Sequence, residues 1–204
     1  HTLMVREHNR WCDIISANNP VWVGKDELIY QYARRMVSGI MSNITYQEYL
    51  PALLGEQLPP YRGYDASINP GIKTEFSTAA YRLGHSMITS NLKTGSGVSD
   101  TILLRDAFFN PSFLDTNGID GILLGSTLQH MQEINNEVID DLRNFLFMTP
   151  TAEHLLDLVT LNIQRGRDHG LPAYNDFREA YGLDRKSNFS EVTSDSALAT
   201  KLTD

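Results

Sequence analysis

Arg82 and His85 lie three residues apart in the stretch Thr74–Ser90, TEFSTAAYRLGHSMITS, and together they could do a specific kind of chemistry. Written as a helix, the stretch gathers Phe76, Ala79, Ala80, Leu83 and Met87 on an apolar face and Thr78, Tyr81, Arg82, His85 and Thr89 on a second face. At this spacing a guanidinium and an imidazole point at one object beside the helix. A neutral imidazole ligates metals and a guanidinium pairs with anions, so the pair suits a ligand with a metal at its centre and an anion at its rim. Asn162 and Arg165 repeat the spacing of three further along and share a helical face in the same way.

Haem is a ligand of that description. A lone histidine on a helix is more often a surface residue or a satisfied core residue, and periodicity by itself leaves that alternative open. For Arg165, Arg167 and Asp168 the alternative is a buried ion-pair network between two helices, and for Arg167 and Asp168 it is the reading adopted. His169 receives no chemistry from the sequence. Cys12, beside Trp11 on an apolar helical face, reads as a packed residue rather than a redox thiol.

The elements that must position these residues are helical in pattern. Residues 1–18 place Leu3, Met4, His8, Trp11, Cys12 and Ile15 on one face before the turn-forming Asn18-Asn19-Pro20. From Asp26 to Ile44 a wide stripe runs through Leu28, Ile29, Tyr32, Ala33, Met36, Val37, Ile40, Met41 and Ile44, as on a core-facing helix. A short helical turn ends near Gly55, and residues 56–73 form a loop. Residues 93–99 read as a polar surface connection, 103–114 as irregular or a short helix, and 118–125 as the start of a helical run. Helical spacing returns over 137–147. Thr151 suits the cap of the next helix, which carries Leu155, Leu156, Leu158 and Val159 and ends in Asn162-Ile163-Gln164-Arg165. Pro172 opens a helix that stops at Gly182, and a last one runs from Asp195 to about Thr203. No alternating strand and no repeat is visible, so the expected fold is all-α.

The chain of 204 residues is long enough for a sizeable core. Seventeen basic against 25 acidic side chains leave a net charge of −8, and no basic block is interleaved with aromatics, which excludes a nucleic-acid partner. No apolar run is long enough to span a bilayer. One cysteine rules out an internal disulfide and a cysteine-based cluster. The chain opens at His1 with neither methionine nor a signal core, so it is expected to be processed or excised from something larger. The sequons at Asn43 and Asn188 are as frequent as chance would give.

Two segments resemble the animal-type haem peroxidases of the peroxidase-cyclooxygenase superfamily. Ala80-Tyr81-Arg82-Leu83-Gly84-His85 is similar to the family's aromatic-Arg-x-Gly-His element, and LNIQRGRDHGLPAY at 161–174 to its signature stretch. HTLMVREHNR at the start and ITYQEYLPALLG at 44–55 resemble family segments in the same order, so the likeness covers nearly the whole chain. The resemblance implies a mainly helical domain over 1–204, incomplete at both ends. It implies haem b as cofactor, His85 as proximal iron ligand through Nε2, Asn162 as acceptor for its Nδ1–H, and Arg82 and Arg165 facing the propionates.

The activity implied is oxidation of halides or small organic donors driven by hydrogen peroxide, in a secreted or extracellular protein. The family's distal base and cation, its calcium loop and its ester-forming carboxylates lie upstream of the position matching His1. No catalytic residue of that side is therefore assigned, and a complementary chain carrying the distal half is an expected partner. The fatty-acid dioxygenase and cyclooxygenase branches share the fold, but they place a tyrosine three residues before the histidine, where this chain has Arg82. A scaffold or interaction module that keeps the fold without turnover is the remaining alternative.

Overall fold

The computed structural model describes residues 1–95, 100–146 and 156–203. It is mainly helical, as the pattern predicts, and divides into two compact units, His1–Asn69 and Pro70–Asp204.

In the first unit, α1 (Thr2–Asn18) and α2 (Asp26–Ile44) are joined by a 3-10 turn, Pro20–Trp22. Proline suits the first position of such a turn because its missing N–H has no helical acceptor there. Asp26 and Glu27 sit in the first turn of α2, where the positive end of the helix dipole favours carboxylates. Ile15, Ile29 and Ala33 form the core between the helices, with Trp11, Cys12 and Trp22 packed against it. Burial raises the Cys12 thiol above its ordinary range, and the Asp13 carboxylate adds to this, so the environment is that of a packed residue.

The buried row of α2 is narrower than the stripe in its sequence. Ile29, Ala33 and Val37 are buried at spacings of four, whereas Tyr32, Met36, Met41 and Ile44 are exposed. One helix covers one row of its neighbour, and within this unit α1 supplies only that much cover. Beyond α2 the ladder widens to a π turn, Thr45–Tyr49, before α3 (Leu50–Leu54). Pro51 has no N–H to return to Gln47, which accounts for the change of register. Gly55, at φ +76°, ends the helix in the left-handed region.

The second unit begins with α4 (Thr74–Thr78), a 3-10 helix (Ala80–Met87) and the strand β1 (Asn91–Lys93). The single helix expected over 74–90 is thus broken at Ala79, where φ is −133°. Thr78 Oγ1 and Ser77 Oγ both donate to the Thr74 carbonyl, at 2.6 and 3.1 Å. Such back-bonding competes with the α-helical ladder.

β1 pairs antiparallel with β2 (Thr101–Leu103), Leu92 opposite Ile102. This small sheet corrects the expectation of no strand; three-residue strands are too short to show an alternating period. α5 (Leu104–Ala107), α6 (Ser112–Asn117) and α7 (Asp120–Thr127) follow. Gln129 closes the free edge of β1, accepting from Lys93 N at 3.0 Å and donating to Asn91 O at 2.7 Å. α7 packs so closely on β1 that a Cβ at Gly125 would overlap the Lys93 carbonyl.

Where a helix over 137–147 was expected, the described residues 137–146 carry a five-residue π turn, Asp141–Phe145. Its Asp141 and Leu142 are each 2% exposed. Burial of Asp141 is compensated by Arg105, whose Nε lies 3.0 Å from Oδ1. α8 (Leu158–Asp168), α9 (Tyr174–Ala180) and α10 (Ser196–Thr203) complete the unit. Asp157 caps α8, accepting from Val159 N at 2.7 Å and Thr160 N at 3.3 Å. The cap expected at Thr151 lies outside the described residues.

Gly125→Ala should destabilise the protein by about 1–3 kcal/mol through forced displacement of β1. Gly121→Ala, whose added Cβ would meet nothing closer than Thr94 Cβ at 3.8 Å, should be nearly neutral. Urea unfolding of the two variants checks this, and equal effects would contradict the close-packing account.

Candidate cofactor site

The break at Ala79 has a consequence for the site. A 3-10 helix has three residues per turn, so Arg82 and His85 are aligned one above the other more strictly than on the α-helix the sequence suggested. The segment is held from both ends. Arg82 N donates to Ala79 O at 3.0 Å, Gln132 N to Met87 O at 3.1 Å, and Asn135 N to Ser86 Oγ at 3.3 Å.

Opposite lies α8, which carries Asn162 into contact with both residues. Asn162 Oδ1 accepts from Arg82 Nη1 at 3.1 Å, and Asn162 Nδ2 is 2.9 Å from His85 Nδ1. An amide nitrogen only donates, so in this arrangement Nδ1 is the acceptor and the ring proton sits on Nε2. The expectation had the amide oxygen accepting from Nδ1–H of an iron-bound ring; here Oδ1 lies on Arg82 Nη1 and Nδ2 faces Nδ1. Arg82 is the cause, because it takes the oxygen.

His85 is half-buried, and desolvation, followed by the charge of Arg82, holds its imidazole below the ordinary value near 6.5. A neutral ring is the form a metal requires. Among the described residues no group of three or more His, Cys, Asp or Glu side chains could hold a metal ion. A tetrapyrrole supplies its iron with ring nitrogens and takes one imidazole such as His85 from a protein.

Arg82 also lines an open cleft of about 460 Å³ together with Ile72, Phe76, Thr78, Tyr81, Arg165 and His169. Its wall combines two guanidiniums with an apolar side on which Phe76 and Tyr81 stack at 5.9 Å between ring centres. Arg82 Nε is buried with no hydrogen-bond partner among the described residues, a donor that an anionic group would satisfy. The cleft residues fit the acidic edge and a ring face of haem, with cations for carboxylates and apolar surface for the ring. His85 is absent from the cleft lining and is linked to it through Asn162 and Arg82.

Arg167 and Asp168 do not form the expected buried network. Both are exposed, Asp168 accepts from Gln164 at 2.7 Å, and neither makes an ion pair among the described residues. They fall on the solvent side of α8, a fact hidden by the charge density of the motif. His169, given no chemistry by the sequence, Phe76, read only as part of an apolar face, and Ile72, not singled out, also line the cleft. Only the i, i+4 relation of His169 to Arg165 could have pointed to it.

Because folded His85 binds its proton more weakly than the unfolded chain does, it contributes nothing above about pH 6.5 and destabilises the fold as pH falls below that value. His85 should titrate below 6.5 by NMR of the labelled ring, and Arg82→Gln should raise the value part of the way, leaving the burial effect. Titration at or above 6.5 in the unmodified chain would contradict the site geometry.

The chain matches the animal haem peroxidase family over residues 1–204. It is 37% identical to peroxinectin A of Dictyostelium discoideum over 205 residues, covering 99% of this chain and 38% of that protein. It is 36% identical to lactoperoxidase of Mesocricetus auratus, covering 100% of this chain and 31% of that protein. The structure of peroxidase A from Dictyostelium discoideum superposes with a TM-score of 0.88 at 36% identity, over 98% of this chain and 39% of that one. The chain thus spans less than two fifths of these relatives' length. By sequence and by fold, it belongs to the animal haem peroxidase family.

Proposed function

We propose that the chain, residues 1–204, is the proximal part of a haem peroxidase domain, with His85 as iron ligand and Arg82 and Arg165 as partners of the cofactor's acidic edge. The supporting observation is the chain of hydrogen bonds from Arg82 through Asn162 to His85, beside a cleft that Arg82 and Arg165 both line. Haem b, when bound, supplies the redox-active iron at which hydrogen peroxide is reduced while a halide or small organic donor is oxidised. The chain's own residues hold and tune it.

Holding an iron through Nε2 would require the His85 proton on Nδ1, with an acceptor for it there. Asn162 supplies one if its amide turns to present Oδ1. Turning it deprives Arg82 Nη1 of its acceptor and leaves that donor for a carboxylate. Freeing Arg82 Nη1 for an acidic edge and presenting Oδ1 to His85 would therefore be one change. A neutral amide acceptor draws the ring less far toward imidazolate than a carboxylate would.

Peroxide cleavage also needs a distal base and a distal cation. In this reading they, and any calcium site, come from the remainder of the domain, on the same or a complementary chain. Arg82, three residues before His85, where the dioxygenase branch would need a tyrosine, favours the peroxidase branch. An extracellular location belongs to the same reading; among the described residues no helix is long and apolar enough to cross a membrane.

The test is an absorption titration of the chain with haemin. The unmodified chain should give a histidine-type Soret band, His85→Ala should abolish it, and Asn162→Ala should weaken binding by about 10–100-fold. A spectrum indifferent to His85→Ala would defeat the assignment and leave a helical module with the family fold.

A further inference from the structure

The end of α8 is set by a pair of hydrogen bonds, from Leu171 N to Gly166 O and from Gly170 N to Arg167 O, each 3.0 Å. With Gly170 at φ +62°, they form the closing motif in which a residue without a Cβ reverses the chain. His169 is thereby fixed as the last residue before the reversal, its N–H on the Arg165 carbonyl at 3.1 Å. It lies four residues from Arg165, on the same face, and lines the same cleft. Its neighbours Arg167 and Asp168 do not line it. The cleft wall therefore carries three donor groups, Arg82, Arg165 and His169, against an apolar side made by Ile72, Phe76 and Tyr81.

Each of the two guanidiniums is able to pair with one carboxylate. A third donor, exposed and turned into the same space, has no structural duty that the Schellman-type backbone bonds do not already perform. Among the described residues its ring forms no hydrogen bond or ion pair. We infer that His169 is a third binding residue of the cleft, donating a ring N–H to a carboxylate on the acidic edge of the bound tetrapyrrole. This rests on the proposal that the cleft faces that edge, and it assigns a use to a residue of the Gly166–Gly170 motif that iron ligation leaves unused.

The experiment uses metal-free protoporphyrin IX, which keeps both carboxylates but cannot be held through iron, and its dimethyl ester, which lacks the acid. Binding of each to the full chain is followed by porphyrin fluorescence. His169→Ala should weaken the free acid about 10-fold, the effect of losing a hydrogen bond to a charged group, and leave the ester unchanged. His169→Gln, which keeps an N–H donor, should recover part of the loss. Arg167→Ala removes a nearby charge outside the cleft and should have no effect, separating a local contact from general electrostatic attraction.

The inference is overturned if the unmodified chain fails to bind the free acid, if His169→Ala leaves it unchanged, or if acid and ester affinities fall together. The iron-ligand assignment is read separately. A His169 effect on the metal-free acid, with a haemin spectrum indifferent to His85→Ala, would keep the cleft contact and discard the ligand.

Discussion

The amide of Asn162 is the point on which the second unit turns. One side-chain oxygen and one side-chain nitrogen, presented by α8, meet a guanidinium and an imidazole presented by the 3-10 helix. They meet them in an order that fixes the ring's proton. A carboxylate in place of the amide would pair with Arg82 as a salt bridge and pull the imidazole toward its charged form. An apolar residue would leave the half-buried ring and the guanidinium without partners, at a cost on the order of 1–3 kcal/mol for each buried polar group. The amide alone offers both a donor and an acceptor, so it can serve the ring in either tautomer.

Much of the surrounding structure can be understood as keeping that amide in place. Asp157 caps α8 with one carboxylate oxygen and reaches Arg143 with the other at 3.7 Å, which ties the helix to the π turn. The turn is anchored by buried Asp141 to Arg105 in α5, the helix that follows β2. On the other side, Tyr181 beyond α9 donates to Glu75 at 2.7 Å and so holds α4, while the 129–135 loop fixes β1 and Ser86. The position of His85 therefore depends on contacts from four separate stretches of sequence. Its local stretch contributes the spacing, and the tertiary contacts contribute the direction.

The helices of the first unit were legible because amphipathic period and turn residues agree there: Asp26–Ile44 has the predicted limits. The stretch around His85 was legible as a constellation and misread as an element. Periodicity cannot register that Ser77 and Thr78 direct their hydroxyls back to one carbonyl. The three-residue strands were too short for any period, and the helix expected over 137–147 shrank to a turn whose identity depends on burying Asp141 against Arg105 36 residues away. Arg82, His85 and Asn162 could be named from residue type and family likeness. The contact of the Asn162 amide nitrogen with His85 could not, because it is decided by competition for one oxygen between residues 80 and 77 positions distant. His169 was given no chemistry because nothing in its type or spacing separated it from its more highly charged neighbours, which do not line the cleft.

The central claim is that Asn162 stands between Arg82 and His85 and fixes the protonation of the ring. The most direct measurement is the long-range proton–nitrogen correlation spectrum of the His85 ring in the cofactor-free chain, with Asn162→Ala beside it. The account predicts a neutral ring protonated at Nε2 with Nδ1 accepting, and a mixture of tautomers once the amide is removed. A ring protonated at Nδ1 in the unmodified chain, or a tautomer indifferent to Asn162→Ala, would contradict it.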